Sequence, residues 1–255
     1  MPQPAIKALL QSRWHGAAVH GQINALHGWT TGIESADKAL APIGIPCGRI
    51  TEIFGAESCG KTTFAYALLA KRIAAGDLAA YVDAQGCFFA PAAQAAGIDL
   101  LRLIVARPRS PQALLRATDA LVRGGACALV VVDCDNEALQ THHCARFVAQ
   151  AEKTGTALLV LSRGRNAPLA SFATLRLWAR GVSPLWQSGA DGGGQLCGYA
   201  IDMEIAKART VAPGKVFSFA VHLAGLLSSW PVEVASDSDI QPAVLDAPLA
   251  QVANQ

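Results

Sequence analysis

Residues 50–63 read ITEIFGAESCGKTT, an apolar segment that leads directly into a glycine-rich one. Residues 55–62 match the pattern G-x-x-x-x-G-K-T at every fixed position, and the Ala- and Leu-rich residues that follow predict a helix ending at Gly76. In such a strand–loop–helix unit, backbone N–H groups approach phosphate oxygens closely, and the helix presents its positive N-terminal end. The sequence therefore predicts a nucleotide-phosphate site, unless the segment is a glycine turn that precedes a helix by chance.

Two side chains of this segment have distinct expected roles. Lys61 is expected to reach the β- and γ-phosphates, and the hydroxyl of Thr62 to ligate Mg²⁺. Asp133 ends the apolar run 128–132 and is expected to hold the water shell of the ion, although an acid at this place is often only a turn former. The predicted nucleotide contacts are Gly55, Glu57, Ser58, Cys59, Gly60, Lys61, Thr62 and Thr63.

Short apolar runs alternate with helical patterns along the middle of the chain. LAAYVDA, ALVVVD and TALLVLS predict strands buried on both faces, and segments such as SPQALLRATDALVRGG predict the helices between them. After residue 171 the pattern changes to alternating strands. We therefore expect an α/β fold whose central, mostly parallel sheet is flanked by helices and carries antiparallel edge strands toward the C-terminus.

The sequence suggests three parts. Residues 1–45 form an N-terminal segment with a short helix at 5–12, residues 46–222 a nucleotide-binding core, and residues 223–255 an acidic tail. Within the first part, TTGIESADKAL predicts a helix with Ser35 as its N-cap.

Composition excludes several classes of protein. With 52% hydrophobic residues among 255 and a net charge of +2, the body is not expected to be disordered. The apolar runs fall far short of the ~20 residues that a membrane span needs, and the N-terminus has no secretory signal pattern. The seven cysteines show no C-x-x-C spacing, so we expect reduced thiols in a cytoplasmic protein.

The combination of these motifs resembles the ATPase core of the RecA recombinase family. The resemblance is carried by TTGIESADKAL, GRITEIFGAESCGKTTFAYALLA, YVDAQG and ALVVVDCDNEAL, and it continues through ATLRLWARG and MEIAKARTVAPGK, over roughly residues 28–222. By its size and shortened loops, the chain is most similar to the short RecA-related accessory proteins of bacterial translesion DNA synthesis. The resemblance implies ATP and Mg²⁺ as ligands, a role in DNA-damage (SOS) responses, and RecA or translesion polymerase components as partners.

One departure concerns catalysis. Where the family carries a Glu that activates the attacking water, this chain has Gln85, which can orient a water but cannot accept its proton. Slow or absent hydrolysis is therefore expected, with partial compensation if Asp83 lies on the same strand face as Gln85. Where the family places an Asp and a Tyr against adenine, this chain has Phe89 and Ala92. Phe88 or Phe89 would replace the stacking Tyr only if the loop rearranges, and we expect both to pack in the core instead.

Further candidates concern DNA and subunit contacts. The family's first DNA loop is too short here, and its second is reduced to residues 162–171, in which Arg163 and Arg165 are candidates for single-stranded DNA. Arg176 is expected to face solvent in a structural role. Lys207 and Arg209 match positions from which RecA-like subunits reach a neighbour's ATP, which would require self-association; a purely structural role in a strand is the alternative.

Three hypotheses follow. The chain is an ATP-binding accessory protein with little catalysis, an active ATPase or recombinase stimulated by single-stranded DNA, or a structural scaffold that binds no nucleotide. Gln85 and the shortened DNA loops favour the first.

Overall fold

The computed structural model describes residues 27–134, 139–164, 168–188 and 194–222. The predicted helix at 5–12 and the predicted acidic tail lie outside these residues. The described helices are α1 (Glu34–Leu40), α2 (Lys61–Ala74), α3 (Ala90–Ala95), α4 (Pro111–Gly124) and α5 (Thr141–Thr154), with 3₁₀ turns at Leu100–Arg102 and Pro168–Ser171. The described strands are β1 (Gly28–Trp29), β2 (Ile45–Pro46), β3 (Ile50–Gly55), β4 (Leu78–Asp83), β5 (Leu103–Ala106), β6 (Cys127–Asp133), β7 (Ala157–Ser162), β8 (Leu175–Ser188), β9 (Gly194–Lys207) and β10 (Val216–His222).

The main sheet has eight strands in the order β10-β9-β8-β3-β7-β6-β4-β5. The pairs from β8 to β5 are parallel, whereas β9 runs antiparallel to both β8 and β10. This arrangement confirms the predicted fold class. Among the described residues, no helix is long and apolar enough to cross a membrane.

Helices cover both faces of the sheet, which explains why β6 and β7 are continuous apolar runs up to their last residues. On one face, side chains such as Ile53 and Val131 pack in a core with α1, α2 and α3. On the other face, Val130 and Val160 pack with α4 and α5. Because β3, β4, β6 and β7 are parallel, their carboxyl ends lie at the same edge of the sheet. Open α/β sheets bind ligands at this edge.

Two serines near helix starts have different roles. Ser110 caps α4, because its hydroxyl accepts a hydrogen bond from the Ala113 N–H at 3.2 Å. The prediction for Ser35 is wrong, because it lies inside α1 and its hydroxyl donates to the carbonyl of Ser218 on β10 at 2.7 Å. Ser35 thus fastens the helix to the edge of the sheet.

The described part of the predicted N-terminal segment packs on the same core as the rest. Ile33, Leu40 and Ile45 are buried in the core cluster that contains α2. The division of the chain at residue 45 stays a prediction.

Only 12% of the Arg176 side chain is exposed, so the expectation that it faces solvent is wrong. Its Nε donates to Glu52 Oε2 at 2.6 Å, and its guanidinium lies over the Phe54 ring, 4.5 Å from the centroid. Glu52 is itself fully buried on β3 and also accepts the Ser162 hydroxyl at 2.7 Å. This face of β8 is therefore part of the protein interior.

Candidate nucleotide-binding site

Residues 55–62, here called the phosphate loop, connect the end of β3 to the start of α2. The chain turns through left-handed conformations at Ser58, with φ of 54°, and at Gly60, with φ of 89°. Helix α2 then begins at Lys61 and is 14 residues long. Its first N–H groups have no partners within the helix, as at any helix N-terminus, and they are suited to bind an anion.

Lys61 folds back over the phosphate loop. Its Nζ donates to the carbonyl of Gly55 at 3.0 Å and to the carbonyl of Ala56, and it lies 3.5 Å from Cys59 Sγ. The Cys59 thiol in turn donates to the carbonyl of Ala56 at 2.9 Å. The ammonium group thus binds neutral carbonyl oxygens. A phosphate would compete with them for the ammonium group, because opposite charges add Coulomb attraction to the hydrogen bond.

A cavity of about 310 Å³ opens beside the phosphate loop. Ser58, Cys59, Gly60, Lys61, Thr62 and Thr63 line one side of it, so the structure brings these six predicted contacts together. Val182, Tyr199, Ile201 and Val221, here called the apolar wall, line the other side. Sequence reasoning missed the wall, because its four members come from three different strands.

Asp133 lies at the carboxyl end of β6, directly opposite Asp83 in the register of β4 and β6. Burial raises the pKa of the Asp133 carboxyl above its usual value, and the negative charge of Asp83 acts in the same direction. A hydrogen bond donated by the Tyr81 hydroxyl at 2.9 Å and the nearby positive charges of Lys61 and Arg163 oppose this rise in pKa. Asp133 is therefore close enough to Lys61 of the phosphate loop for the two charges to interact.

The donor set at this edge of the sheet fits Mg²⁺ bound together with a nucleotide. Thr62 in the first turn of α2 offers a hydroxyl oxygen, and Asp133 offers a carboxylate. Hard oxygen ligands in small number, completed by phosphates and water, are what Mg²⁺ usually takes.

Asp83 anchors the loop that carries Gln85. Strand β4 ends at Asp83, so the alternation expected to place Asp83 and Gln85 on one strand face does not extend to Gln85, and that interpretation is wrong. The Asp83 carboxylate is only 1% exposed and accepts the N–H groups of Cys87 at 2.9 Å and Phe88 at 3.1 Å. Arg107 adds a contact from its Nε to Asp83 at 3.1 Å.

The two phenylalanines of this loop differ. Phe88 packs against the rings of Tyr66 and Tyr81, with centroids 5.8 and 5.1 Å away, which confirms its predicted core position. Phe89 is 62% exposed, so the same prediction is wrong for it.

Arg163 follows β7 and forms an ion pair with the phosphate loop. Its Nη1 lies 2.9 Å from Glu57 Oε1, and both side chains are largely exposed. A residue predicted to contact DNA and one predicted to contact the nucleotide are thus partners. Arg165, the second DNA candidate, lies outside the described residues.

Lys207 is the last residue of β9, and Arg209 follows two residues later. Lys207 Nζ donates to the carbonyls of Ala170 at 2.9 Å and Ser171 at 3.3 Å, which fastens the end of the second predicted DNA loop. Burial, together with the cations of Arg176 and Arg209, lowers the pKa of Lys207. Arg209 is exposed, and contacts of either residue with another subunit stay a prediction.

The phosphate loop, with the strand β3 and the helix α2 that flank it, lies in a region that matches a known protein domain. The model of the RecA N-terminal domain matches residues 16–155, more than half of the chain. The chain is 42% identical to the RecA protein of Chloroherpeton thalassium over 126 residues, which cover 49% of this chain and 33% of that protein. It is 39% identical to the RecA protein of Chlorobium chlorochromatii over 148 residues, or 58% of this chain and 39% of that protein.

A third match, to the RecA protein of Symbiobacterium thermophilum, has 46% identity over 103 residues and covers 40% of this chain and 29% of that protein. The chain therefore spans about a third of the length of the RecA proteins it matches. A strand–loop–helix phosphate site on a mostly parallel sheet, together with a matching domain over more than half the chain, identifies the chain as a member of the RecA family.

Proposed function

We propose that this protein binds MgATP at the phosphate loop and acts as an accessory or regulatory member of the RecA family in DNA-damage tolerance, of the kind represented by ImuA in bacterial translesion synthesis. Hydrolysis is slow or absent. The observation that carries the proposal is the pairing of a complete phosphate loop, closed by Lys61, with Gln85 at the position of the catalytic acid.

The chain's own groups have separable roles at the nucleotide. Lys61 and the first N–H groups of α2 bind phosphate oxygens, and Thr62 and Asp133 hold the ion, Asp133 through water. Bound Mg²⁺ supplies positive charge that neutralises the phosphates. The Gln85 side chain hydrogen-bonds a water and orients it, but its amide has no site that takes the proton.

The missing general base sets the expected rate. A positioned acid or base typically contributes ~10²–10⁴-fold in rate. Asp83 does not replace it, because its carboxylate is buried and bound to the loop backbone and to Arg107. The bound nucleotide then has a regulatory role, and its hydrolysis does not supply energy for the protein's activity.

Partners are expected among RecA and the components of a translesion polymerase complex, in a cytoplasmic setting. A surface like that of a RecA protomer would let the chain join or cap a filament that it cannot extend. In such an assembly Lys207 and Arg209 face a neighbour's nucleotide, and Arg163 and Arg165 contact the phosphates of single-stranded DNA without reading its sequence.

The first experiment measures MgATP binding and hydrolysis by the full chain, with and without single-stranded DNA. Lys61→Ala provides the blank, and Gln85→Glu restores the missing base. We expect ATP binding by the wild type that Lys61→Ala abolishes, turnover at the level of the blank, and a rise in turnover of ~10²-fold or more in Gln85→Glu.

Two results would overturn the proposal. Wild-type turnover that single-stranded DNA stimulates well above the blank would identify an active ATPase. Failure to bind MgATP at millimolar concentration would leave a structural scaffold. The role as a partner is tested separately by adding the protein to RecA filaments on single-stranded DNA, where no binding and no change in filament-dependent activity would exclude it.

A further inference from the structure

The apolar wall is built by neighbouring positions of three strands. Ile201 on β9 lies opposite Val182 on β8, and Tyr199 on β9 lies opposite Val221 on β10. Residues directly opposite each other in an antiparallel pair point to the same face of a sheet. The four side chains therefore form one continuous surface, of which Ile201 and Val221 are buried, while Tyr199 is 37% exposed toward the cavity.

The length of β8 brings this surface to the phosphate loop. Strand β8 pairs with β3 only over residues 175–179, and then continues to Ser188 paired with β9 alone. This extension carries Val182 past the end of β3. The loop and the wall touch, because a β-carbon placed on Gly60 would lie 2.6 Å from Ile201 Cγ2. The phosphate loop thus packs directly on the apolar wall at Ile201, two residues from Tyr199 on the same strand.

Among the residues that the structure describes, the other side of the loop offers no comparable aromatic surface to the cavity. Phe88 is held in the core by Tyr66 and Tyr81, and position 92 is an alanine. Phe89 is exposed, but it is not among the residues that line the cavity.

We propose that Tyr199, supported by Val182 and Val221, is the surface on which the base of a nucleoside triphosphate stacks when its phosphates bind the phosphate loop. The inference rests on the proposed nucleotide binding and adds the location of the base. A half-exposed aromatic ring beside aliphatic side chains suits a flat, apolar base, and such stacking accepts any base because every base has a π-face.

The test separates the base from the phosphates by comparing two ligands. Isothermal titration calorimetry in the presence of Mg²⁺ gives Kd for ATP and for inorganic tripolyphosphate, using the full chain. Tyr199→Leu should weaken ATP binding by about tenfold, the loss expected for one base–aromatic stack, and leave tripolyphosphate binding unchanged. Tyr199→Phe keeps the ring and should bind ATP as the wild type does. Phe89→Ala is the matched control on the opposite side and should also bind ATP normally.

Three outcomes would overturn the inference. They are an unchanged ATP affinity in Tyr199→Leu, an equal loss of ATP and tripolyphosphate binding in that variant, and a tenfold loss of ATP binding in Phe89→Ala. If tripolyphosphate binding still depends on Lys61 in these cases, the proposed function stands without the base site. If the wild type binds neither ligand, both proposals fail. Urea unfolding midpoints of each variant verify that the wall remains folded.

Discussion

Gly60 and Ile201 approach so closely that no side chain fits between them. Any β-carbon on Gly60 would lie within 2.6 Å of Ile201 Cγ2, and the backbone at Gly60 has a φ of 89°. Gly76 has a similar φ of 92° but open space around it. We therefore expect Gly60→Ala to lower the free energy of unfolding by about 1–3 kcal/mol more than Gly76→Ala, since only the first overpacks the core.

Urea unfolding of the two glycine variants measures this difference. Combining Gly60→Ala with Ile201→Ala should cost less than the sum of the single losses, because the second change removes the clash. Equal losses in Gly60→Ala and Gly76→Ala would contradict the close packing of the phosphate loop on the wall.

The buried pair of Glu52 and Arg176 should be far more important for stability than an exposed pair on the same strand. Replacing Arg176 by Ala leaves a carboxylate that is fully buried without its cation, which typically costs about 3–5 kcal/mol. Arg180 lies 3.3 Å from Glu204 but is half exposed, so Arg180→Ala should cost less than ~1 kcal/mol. Chemical unfolding of both variants gives the comparison, and similar losses would show that Glu52 does not depend on Arg176.

The ion pair between Arg163 and Glu57 predicts an effect on DNA affinity. Glu57→Gln removes this one ion pair, and because exposed pairs contribute ~0.2–1 kcal/mol, affinity for single-stranded DNA should rise by about 1.4- to fivefold. Arg163→Gln should lower it. Fluorescence anisotropy with a labelled oligonucleotide, at low salt and without nucleotide, measures both changes.

Glu152→Gln is the control for net charge in that experiment. It makes the same change in charge beside a different arginine, Arg49, whose Nη1 lies 2.5 Å from Glu152. An equal gain in Glu152→Gln would assign the effect to net charge alone, and no gain in Glu57→Gln would argue against a DNA contact by Arg163.

Two buried thiols should make the protein less stable at high pH. Burial raises the pKa of Cys127 to about 12 and, aided by the charge of Glu52, that of Cys144 to about 11, from an ordinary value of 9.0. Above pH 9 the unfolded chain ionises these thiols while the folded chain keeps them protonated, so stability falls as pH rises. Each thiol should account for about 2 kcal/mol between pH 8 and pH 10.5.

Urea unfolding at these two pH values measures the decrease. In Cys127→Ala and in Cys144→Ala the decrease should be smaller by about that amount. Cys87 is exposed, and Cys87→Ala should leave the pH dependence as in the wild type. The same slope in all four proteins would show that the two thiols are not buried as described.

Local patterns predicted the strand–loop–helix unit and the parallel strands because their causes are local. The phosphate loop is a matter of spacing within eight positions, and β6 and β7 are continuous apolar runs because helices cover both their faces. The same reasoning failed where a distant segment decides. Ser35 has a suitable type for an N-cap, but its hydroxyl bonds to Ser218, which lies 183 residues away.

Alternation along β8 shows which residues share a face, but it does not show which face meets solvent. Alternation alone therefore predicts an Arg176 side chain that faces solvent. In the structure its guanidinium pairs with the buried Glu52 carboxylate on the neighbouring strand and lies in the interior. The apolar wall escaped prediction because it depends on the register of β8, β9 and β10. That register shifts at three places between β8 and β9, and sequence spacing does not reveal such shifts.

Asp83 and Arg107 bind the backbone of the loop that carries Gln85, and the Gln85 side chain takes part in none of these contacts. Asp83 binds the N–H groups of Cys87 and Phe88, and Arg107 Nη2 donates to the carbonyl of Phe88 at 2.9 Å. Exchange of the single residue at position 85 therefore alters chemistry without rebuilding the loop. Under the proposed function, one substitution at this position would switch hydrolysis on or off and leave the rest of the proposed nucleotide site unchanged.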